Sequence, residues 1–559
     1  MFKRLLYVLA TLIVAVIVFQ WLTAASFEFD SPSTTQALNE NYTQILIKSH
    51  DGTTIGLTLY QPQLAAGENA PLILHTNGFG GTRAARPLSL YGQLMLSGTS
   101  SIAAWHRGYW MISFDQRGVG ESGDEIHLMD PDFEVKDFSA VIDWAIANIP
   151  RISKDDNGDA IIGAVGESYG GGSAVNASLR DPRIDAIVPL TTWWDLSDAF
   201  GANRHVKSAW GGTLGLLGTF SSGFDFGMAI EPEYLALFNG YMNDKVDADM
   251  DRRSPMTYCA QGMSIQADAL FIQGFKDTLF PLNHGLNNRA CALTGGKDVR
   301  FVGIQDGHKL WPIQPWSGLP IFNTQETIVC DDQVFDTQTM ILDWLDEKLK
   351  GIPPPQEIPR LCLTFDDDIG RNLEQVTYGG DSFVIPTTTF HLTPSGLLEG
   401  ILDPLDILMD SIRPLSSQTE LQATGGSIRP KFVPLYRADQ SIDLLGVPLI
   451  DVNFTSTESA HDGVGYLALG IRKAGKRHIE ILSDQYLPLP RDGLYRQEFP
   501  AVSFQLQAGD EVGVVLQGFT WQYLANSEGL LSSGTITGQV ALPLIAPKDL
   551  SSARATQSL

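Results

Sequence analysis

The segment Gly166-Glu167-Ser168-Tyr169-Gly170-Gly171-Gly172 constrains this chain more than any other. Ahead of it the apolar run 160–165 reads as a buried strand, and behind it 173–179 reads as a helix. A strand that passes through Gly-x-Ser-x-Gly into a helix turns so sharply that the residues two before and two after the serine must be small. The turn thrusts the serine hydroxyl out at the top of a sheet. The backbone N–H of Tyr169 is then aimed at the same place, where it can hold a developing oxyanion. An idle serine in a glycine-rich turn would look the same in isolation, so the weight falls on the rest of the chain.

An elbow of this kind needs a parallel sheet around it. Short buried runs at 72–76, 109–114, 184–190, 269–273 and 299–304 alternate with loops and helical stretches. In 133–149, Val135, Phe138, Val141, Ile142, Ala145 and Ile146 recur at helical spacing. The alternation predicts an α/β domain over 40–350, a mostly parallel sheet with helices on both faces. It is preceded by a hairpin, 42–47 and 54–60, around Asp51-Gly52. Residues 196–262 break the rhythm with aromatics and glycines, as in Trp210-Gly211-Gly212, and read as a largely helical cap over the strand ends. A helix over 336–350 ends at Gly351, and 351–360 is a stiff proline-rich linker. Beyond it, 502–506 and 535–540 alternate strictly, and short strands such as 466–471 and 512–516 lie between Gly, Asp and Pro turns. That pattern predicts an all-β sandwich of jelly-roll type over 361–547, followed by a polar tail.

The 64 acidic residues outnumber the 38 basic ones, for a net charge of −26. Nucleic acid is excluded as a partner, because phosphate must be met by clustered Lys and Arg. Met1-Phe2-Lys3-Arg4, an apolar run over 5–19 and the small residues Thr23-Ala24-Ala25-Ser26 describe a signal peptide or a membrane anchor over 1–26. Either way the expectation is an exported chain, periplasmic, extracellular or held facing outward, touching membrane only through that segment if it is uncleaved. Cys259, Cys291, Cys330 and Cys362 allow two disulfides in three possible pairings, or four buried thiols. Their spacing is not that of a metal site. Asp247-x-Asp249-x-Asp251 lacks the glycine and distal glutamate of a calcium loop and reads as a solvated acidic face. No metal and no cofactor is implied.

A serine hydroxyl is a weak nucleophile at neutral pH and needs a base, which in turn needs an orienting acid. Behind an elbow the acid follows a later strand and the histidine comes last. Asp277 stands just after the strand at 269–273, whereas Asp268 lies at its wrong end. His308 follows the strand at 299–304, with Gly307 to tighten the loop. His75, His205 and His284 lack that loop context, and His284 falls in a helix as a packing or surface residue. The second oxyanion donor should come from Asn77-Gly78-Phe79-Gly80-Gly81, with the Phe79 N–H or the Asn77 amide as candidates. The turn Asp115-Gln116-Arg117-Gly118 is expected to brace the site rather than to react.

Gly-x-Ser-Tyr-Gly-Gly, the Asp-Gln-Arg-Gly turn and Trp193-Trp194-Asp195-Leu196 resemble the X-Pro dipeptidyl-peptidase and cocaine esterase family, over nearly the whole chain after residue 40. The resemblance implies an α/β-hydrolase core with a helical cap and a C-terminal jelly roll. It implies Ser168, Asp277 and His308 as the triad, and Trp193 and Trp194 as walls of the substrate pocket, although buried aromatics serve equally as core filler. It implies an acyl bond, amide or ester, in a small peptide or ester substrate. Many members place after the first parallel strand a tyrosine whose hydroxyl helps the oxyanion. Phe79 stands in that region here and cannot donate through its ring. No acidic pocket for a free N-terminus is legible, so peptidase and esterase stay level. The rival from another class is a non-catalytic envelope- or carbohydrate-binding protein.

Overall fold

The computed structural model of the protein describes residues 29–223, 240–310, 327–392, 430–456, 464–524, 533–548 and 550. Strands β1 (Asn41–Lys48) and β2 (Thr54–Gln61) form the hairpin around Asp51-Gly52. Next come β3 (Leu72–Thr76), β4 (Trp110–Phe114), β5 (Ile162–Glu167), β6 (Ala186–Leu190), β7 (Asp268–Gly274) and β8 (Val299–Ile304). These pair in parallel in the order β4-β3-β5-β6-β7-β8. They are apolar and buried almost throughout because helices cover both faces of the sheet.

The helices that matter for the site are α1 (Leu96–His106), α2 (Glu134–Asn148), α3 (Tyr169–Ser178), α4 (Leu196–Gly201), α5 (Ser208–Ser221), α6 (Asp244–Arg252), α7 (Pro255–Ala260), α8 (Leu282–Thr294) and α9 (Thr337–Lys350). Leu72 and Leu74 of β3 share a core with Phe138, Val141 and Ile142 of α2 and with Val175 of α3. Ile73 points the other way, into a core with Ala104 of α1 and with Ile341, Trp344 and Leu345 of α9. The strand period of two therefore divides one sheet between two helical layers. Helix α9 starts where the Asp336 carboxylate accepts the Thr339 N–H at 2.8 Å, and stops at Gly351, whose φ of +66° suits glycine. Helices α4 to α7 lie in the stretch expected to form the cap.

The large sheet does not end at the linker. Strands β9 (Thr327–Cys330), β10 (Gln333–Asp336), β11 (Leu361–Thr364) and β12 (Ile369–Asn372) complete, among the described residues, a 12-stranded sheet in which β11 lies parallel to β8. The β-sandwich expected from residue 361 therefore gives up 361–372 to the core. A run as short as Leu361-Cys362-Leu363-Thr364 carries too little periodicity to say which sheet it joins.

After Asn372 the pairing within each sheet is antiparallel. The strands are β13 (Asp381–His391), β14 (Lys431–Arg437), β15 (Ile442–Gly446), β16 (Leu449–Ser456), β17 (Gly465–Arg472), β18 (Ile479–Ile481), β19 (Leu487–Leu489), β20 (Gly493–Glu498), β21 (Val502–Leu506), β22 (Glu511–Gln517), β23 (Ser533–Leu542) and β24 (Leu544–Ile545). They form sheets β13-β23-β16-β20, β14-β22-β17-β18 with β19 beside β17, and β21-β15-β24. Phe390, Val452, Phe454, Leu467, Leu469, Val514 and Ile536 meet in one core between them, which is the C-terminal β domain expected.

Of the three possible cysteine pairings, the structure has Cys259–Cys291, joining α7 to α8, and Cys330–Cys362, joining β9 to β11. The segment expected to be a signal or anchor, and the tail after residue 550, lie outside the described residues. Among the described residues no helix is long and apolar enough to cross a membrane.

Candidate active site

Ser168 sits between β5 and α3 with φ +56° and ψ −117°, a conformation that non-glycine residues rarely hold. Its N–H bonds the Leu190 carbonyl at 2.9 Å, and its own carbonyl accepts the Thr192 hydroxyl at 2.9 Å. The glycines are obligatory by crowding: a Cβ on Gly166 would overlap the Gly170 carbonyl, and one on Gly170 would overlap the Thr76 carbonyl. The β5–α3 turn is thus packed too tightly for side chains at these two positions, and it projects the serine side chain.

The Ser168 Oγ lies 2.9 Å from His308 Nε2, and His308 Nδ1 lies 2.6 Å from Asp277 Oδ2. The other Asp277 oxygen accepts the N–H groups of Leu279 (3.0 Å) and Phe280 (2.6 Å), which fixes the carboxylate's orientation. The two loops touch closely. Thr278 N–H bonds the His308 carbonyl at 2.9 Å, and a Cβ on Gly307, at φ +132°, would overlap Asp277. The three residues singled out in the sequence are thereby one hydrogen-bonded chain drawn from three strand ends.

Burial opposes a charge on His308, but the Asp277 carboxylate, backed by Glu167 and Asp306, outweighs it and raises the imidazole above its ordinary 6.5. Glu167, the residue before the nucleophile, is wholly buried. Burial pushes its carboxyl up to about 8, against the downward pull of His308. The rings of Trp210 and Phe280 flank the imidazole edge-on, at 6.0 and 5.1 Å between centroids. Neither was legible as a neighbour of His308, because residue 210 arrives from the cap.

The oxyanion candidates separate. Tyr169 contributes the first amide of α3, one that has no carbonyl within its own helix to bond. Its phenol is occupied elsewhere, accepting the Met129 N–H at 2.8 Å and donating to Glu134 at 3.3 Å. The Asn77 amide is a correction: its Nδ2 donates to the carbonyls of Gly78 (3.0 Å) and Gly81 (2.5 Å), so both hydrogens are spent shaping their own loop. Phe79 sits edge-on to the Tyr169 ring at 5.4 Å, and its backbone N–H stays the candidate from that loop.

Trp193 is also corrected. At 1% exposure it does not wall an open pocket; it lies against Gly172, where any Cβ would strike its ring, and packs with Leu279 and Phe280. A bare glycine helix leaves a groove that a large aromatic fills. Trp194, like Tyr258 and Cys259, is partly buried against the core that includes Cys291 and Ala292, and its N–H donates to His284 at 3.2 Å. The other histidines have structural work. His284 is buried and its imidazole pushed down to about 3 by that burial. His75 bonds Ser113 at 2.9 Å inside the sheet, and His205 bonds Tyr466 of the sandwich at 2.9 Å. Arg117, expected to brace the site, ties the hairpin to α2: wholly buried, it bonds Asp137 (2.7 and 2.9 Å), Asp51 (2.6 Å) and Asp124 (2.8 Å). Among the described residues no group of His, Cys, Asp and Glu has the arrangement to hold a metal.

Residues 51–222 match the model of the X-Pro dipeptidyl-peptidase (S15) family, which bears out the resemblance read from the motifs. An uncharacterised Pseudomonas aeruginosa protein is 31% identical over 143 residues, a stretch covering 25% of this chain and 34% of that protein. The chain thus spans about a third of the length of this curated relative. An α-amino acid ester hydrolase has the same fold at a TM-score of 0.58 and 13% identity, over 94% of this chain and 99% of its own. A CocE/NonD family hydrolase of Staphylococcus aureus does so at 0.56 and 11%, over 92% and 99%. The family match covers residues 51–222, and at these identities the two solved structures speak to the fold.

Proposed function

We propose that this chain, whose residues 51–222 match the X-Pro dipeptidyl-peptidase family, is an exported hydrolase that cleaves a small amide or ester through an acyl-enzyme on Ser168. The observation that carries the reading is the continuous path from Ser168 Oγ to His308 Nε2 (2.9 Å) and from His308 Nδ1 to Asp277 Oδ2 (2.6 Å). His308 takes the hydroxyl proton as Oγ attacks the substrate carbonyl carbon, and Asp277 stabilises the imidazolium and holds its tautomer. The Tyr169 N–H, at the positive end of α3, and an N–H of the 77–81 loop receive the oxyanion. Collapse expels the amine or alcohol, which takes the proton from Nε2. Water, deprotonated by the same nitrogen, then releases the acid and restores Ser168.

The non-catalytic alternative is disfavoured by the strain at Ser168. A non-glycine residue at φ +56° and ψ −117° costs about 1–3 kcal/mol, and strain of that kind gathers at functional sites. Export is supported by Cys259–Cys291 and Cys330–Cys362, since disulfides persist in oxidising compartments. Short-chain p-nitrophenyl esters assayed beside Ala-Pro and Gly-Pro anilides separate the two substrate classes. Ser168→Ala should lose at least about 10⁴-fold in kcat on whichever is cleaved. Turnover retained in that variant would overturn the reading.

A further inference from the structure

The turn that carries Asp277 is gripped from two directions by side chains that take no part in the reaction. From the sandwich, Gln485 follows β18 and precedes β19. It is 3% exposed, and its Nε2 donates to the Asp277 carbonyl at 2.8 Å and to the Phe275 carbonyl at 3.3 Å. From the cap, the buried Lys207 precedes α5, and its Nζ donates to the carbonyls of Thr278 (2.9 Å) and Leu279 (3.2 Å). Each backbone carbonyl from 277 to 279 is therefore held by a donor from outside the core domain. Trp210 adds a bond to the Thr278 hydroxyl at 3.0 Å.

The backbone that presents Gln485 is itself under strain. Ser483 and Asp484 stand at φ +56° and +53°, two consecutive non-glycine residues in the left-handed region. Gln522 stabilises the turn by donating to the Asp484 carbonyl at 2.6 Å. Strain of this kind persists only where the surroundings impose it, and it gathers at sites that must be placed accurately.

We propose that Gln485 and Lys207 are positioning residues: they fix the 277–279 turn so that the Asp277 carboxylate meets His308, and they make catalysis depend on docking of both the cap and the sandwich. The inference rests on the proposed function in that it takes Ser168, His308 and Asp277 as the reacting set. Loss of either donor leaves two buried carbonyls of the turn without it, and the carboxylate moves with the turn. A misplacement of even 1 Å is felt in the rate.

The test uses the full chain with Gln485→Met and Lys207→Met, and Lys207→Gln, which keeps an N–H donor, as rescue. Thermal melting establishes that each variant is folded. In the folded variants kcat should fall about 10- to 100-fold while KM stays within about twofold. The downfield proton resonance of His308 Nδ1–H, diagnostic of a short charge-assisted bond, should move upfield, and Lys207→Gln should recover part of both losses. Where Gln485→Met does not fold, Gln485→Asn keeps a polar amide in the site but, shorter by one methylene, withdraws it from the Asp277 carbonyl, and gives the same reading. Folded variants with kcat within about twofold of wild type and an unmoved resonance would overturn the proposal. A wild-type protein that turns over neither esters nor anilides would instead count against the proposed function. The resonance would still report on the positioning.

Discussion

Ser168 and His308 owe their placement to the smallness of their neighbours as much as to their own chemistry. Gly166, Gly170 and Gly307 are positions where a single extra carbon meets backbone or the catalytic acid, which is why the elbow and the histidine loop were readable as local motifs. Asn77 and Trp193 misled for the converse reason. The residue types suit an oxyanion donor and a pocket wall, but side-chain direction is decided by packing partners far away in sequence, the loop carbonyls for one and the bare Gly172 for the other. Lys207 and Gln485 left no signal at all, since each bonds carbonyls of a turn at least 70 positions from it. The His308 environment sets a pH dependence with a definite sign. The imidazole must be neutral to accept the serine proton, and it is raised above 6.5, so kcat/KM should fall as pH drops through a midpoint higher than 6.5. A pH–rate profile checks this, and a midpoint well below 6.5 would contradict it. Stability leans the other way: the raised imidazole contributes fully below pH 6.5, and the contribution is lost as pH rises through the folded value.

The strands β3 to β8 were legible because each is a buried apolar run flanked by turn residues, and α2 because its apolar positions repeat every three or four. Strands β9 to β12 were not, being 4 residues long each, with register set by the neighbours they join. The turn after β4 shows how a motif can be conspicuous without reacting. Arg117 ties the β1–β2 hairpin through Asp51 to α2 through Asp137, with neither Arg117 nor Asp137 exposed. Arg117→Met leaves the buried Asp137 carboxylate without its guanidinium, with only the Ser49 hydroxyl and, at 3.9 Å, the His50 imidazole beside it. We expect a loss of about 3–5 kcal/mol in unfolding free energy, to be read from urea denaturation. A change under about 1 kcal/mol would mean that water or relaxation compensates Asp137.

The molecule is stitched across its parts. Asn283 of α8 bonds Glu498 (2.9 Å) and Ala501 (2.7 Å) of the sandwich, and Arg371 of β12 bonds the wholly buried Asp443 of β15 at 2.8 Å. Cys362 lies on β11, whose partner strand β8 leads directly into the histidine loop. A chain ending at residue 350 would expose the β8 edge, leave Cys330 unpaired and release the 277–279 turn from Gln485. We expect it to be insoluble or unlabelled at Ser168; a soluble, active fragment would show the sandwich to be dispensable. The most direct test of the whole account is fluorophosphonate labelling of the intact chain with the adduct located by mass spectrometry. The account predicts one phosphonyl group on Ser168, abolished by His308→Ala and by denaturation. An intact folded chain that takes no label at Ser168 would contradict it.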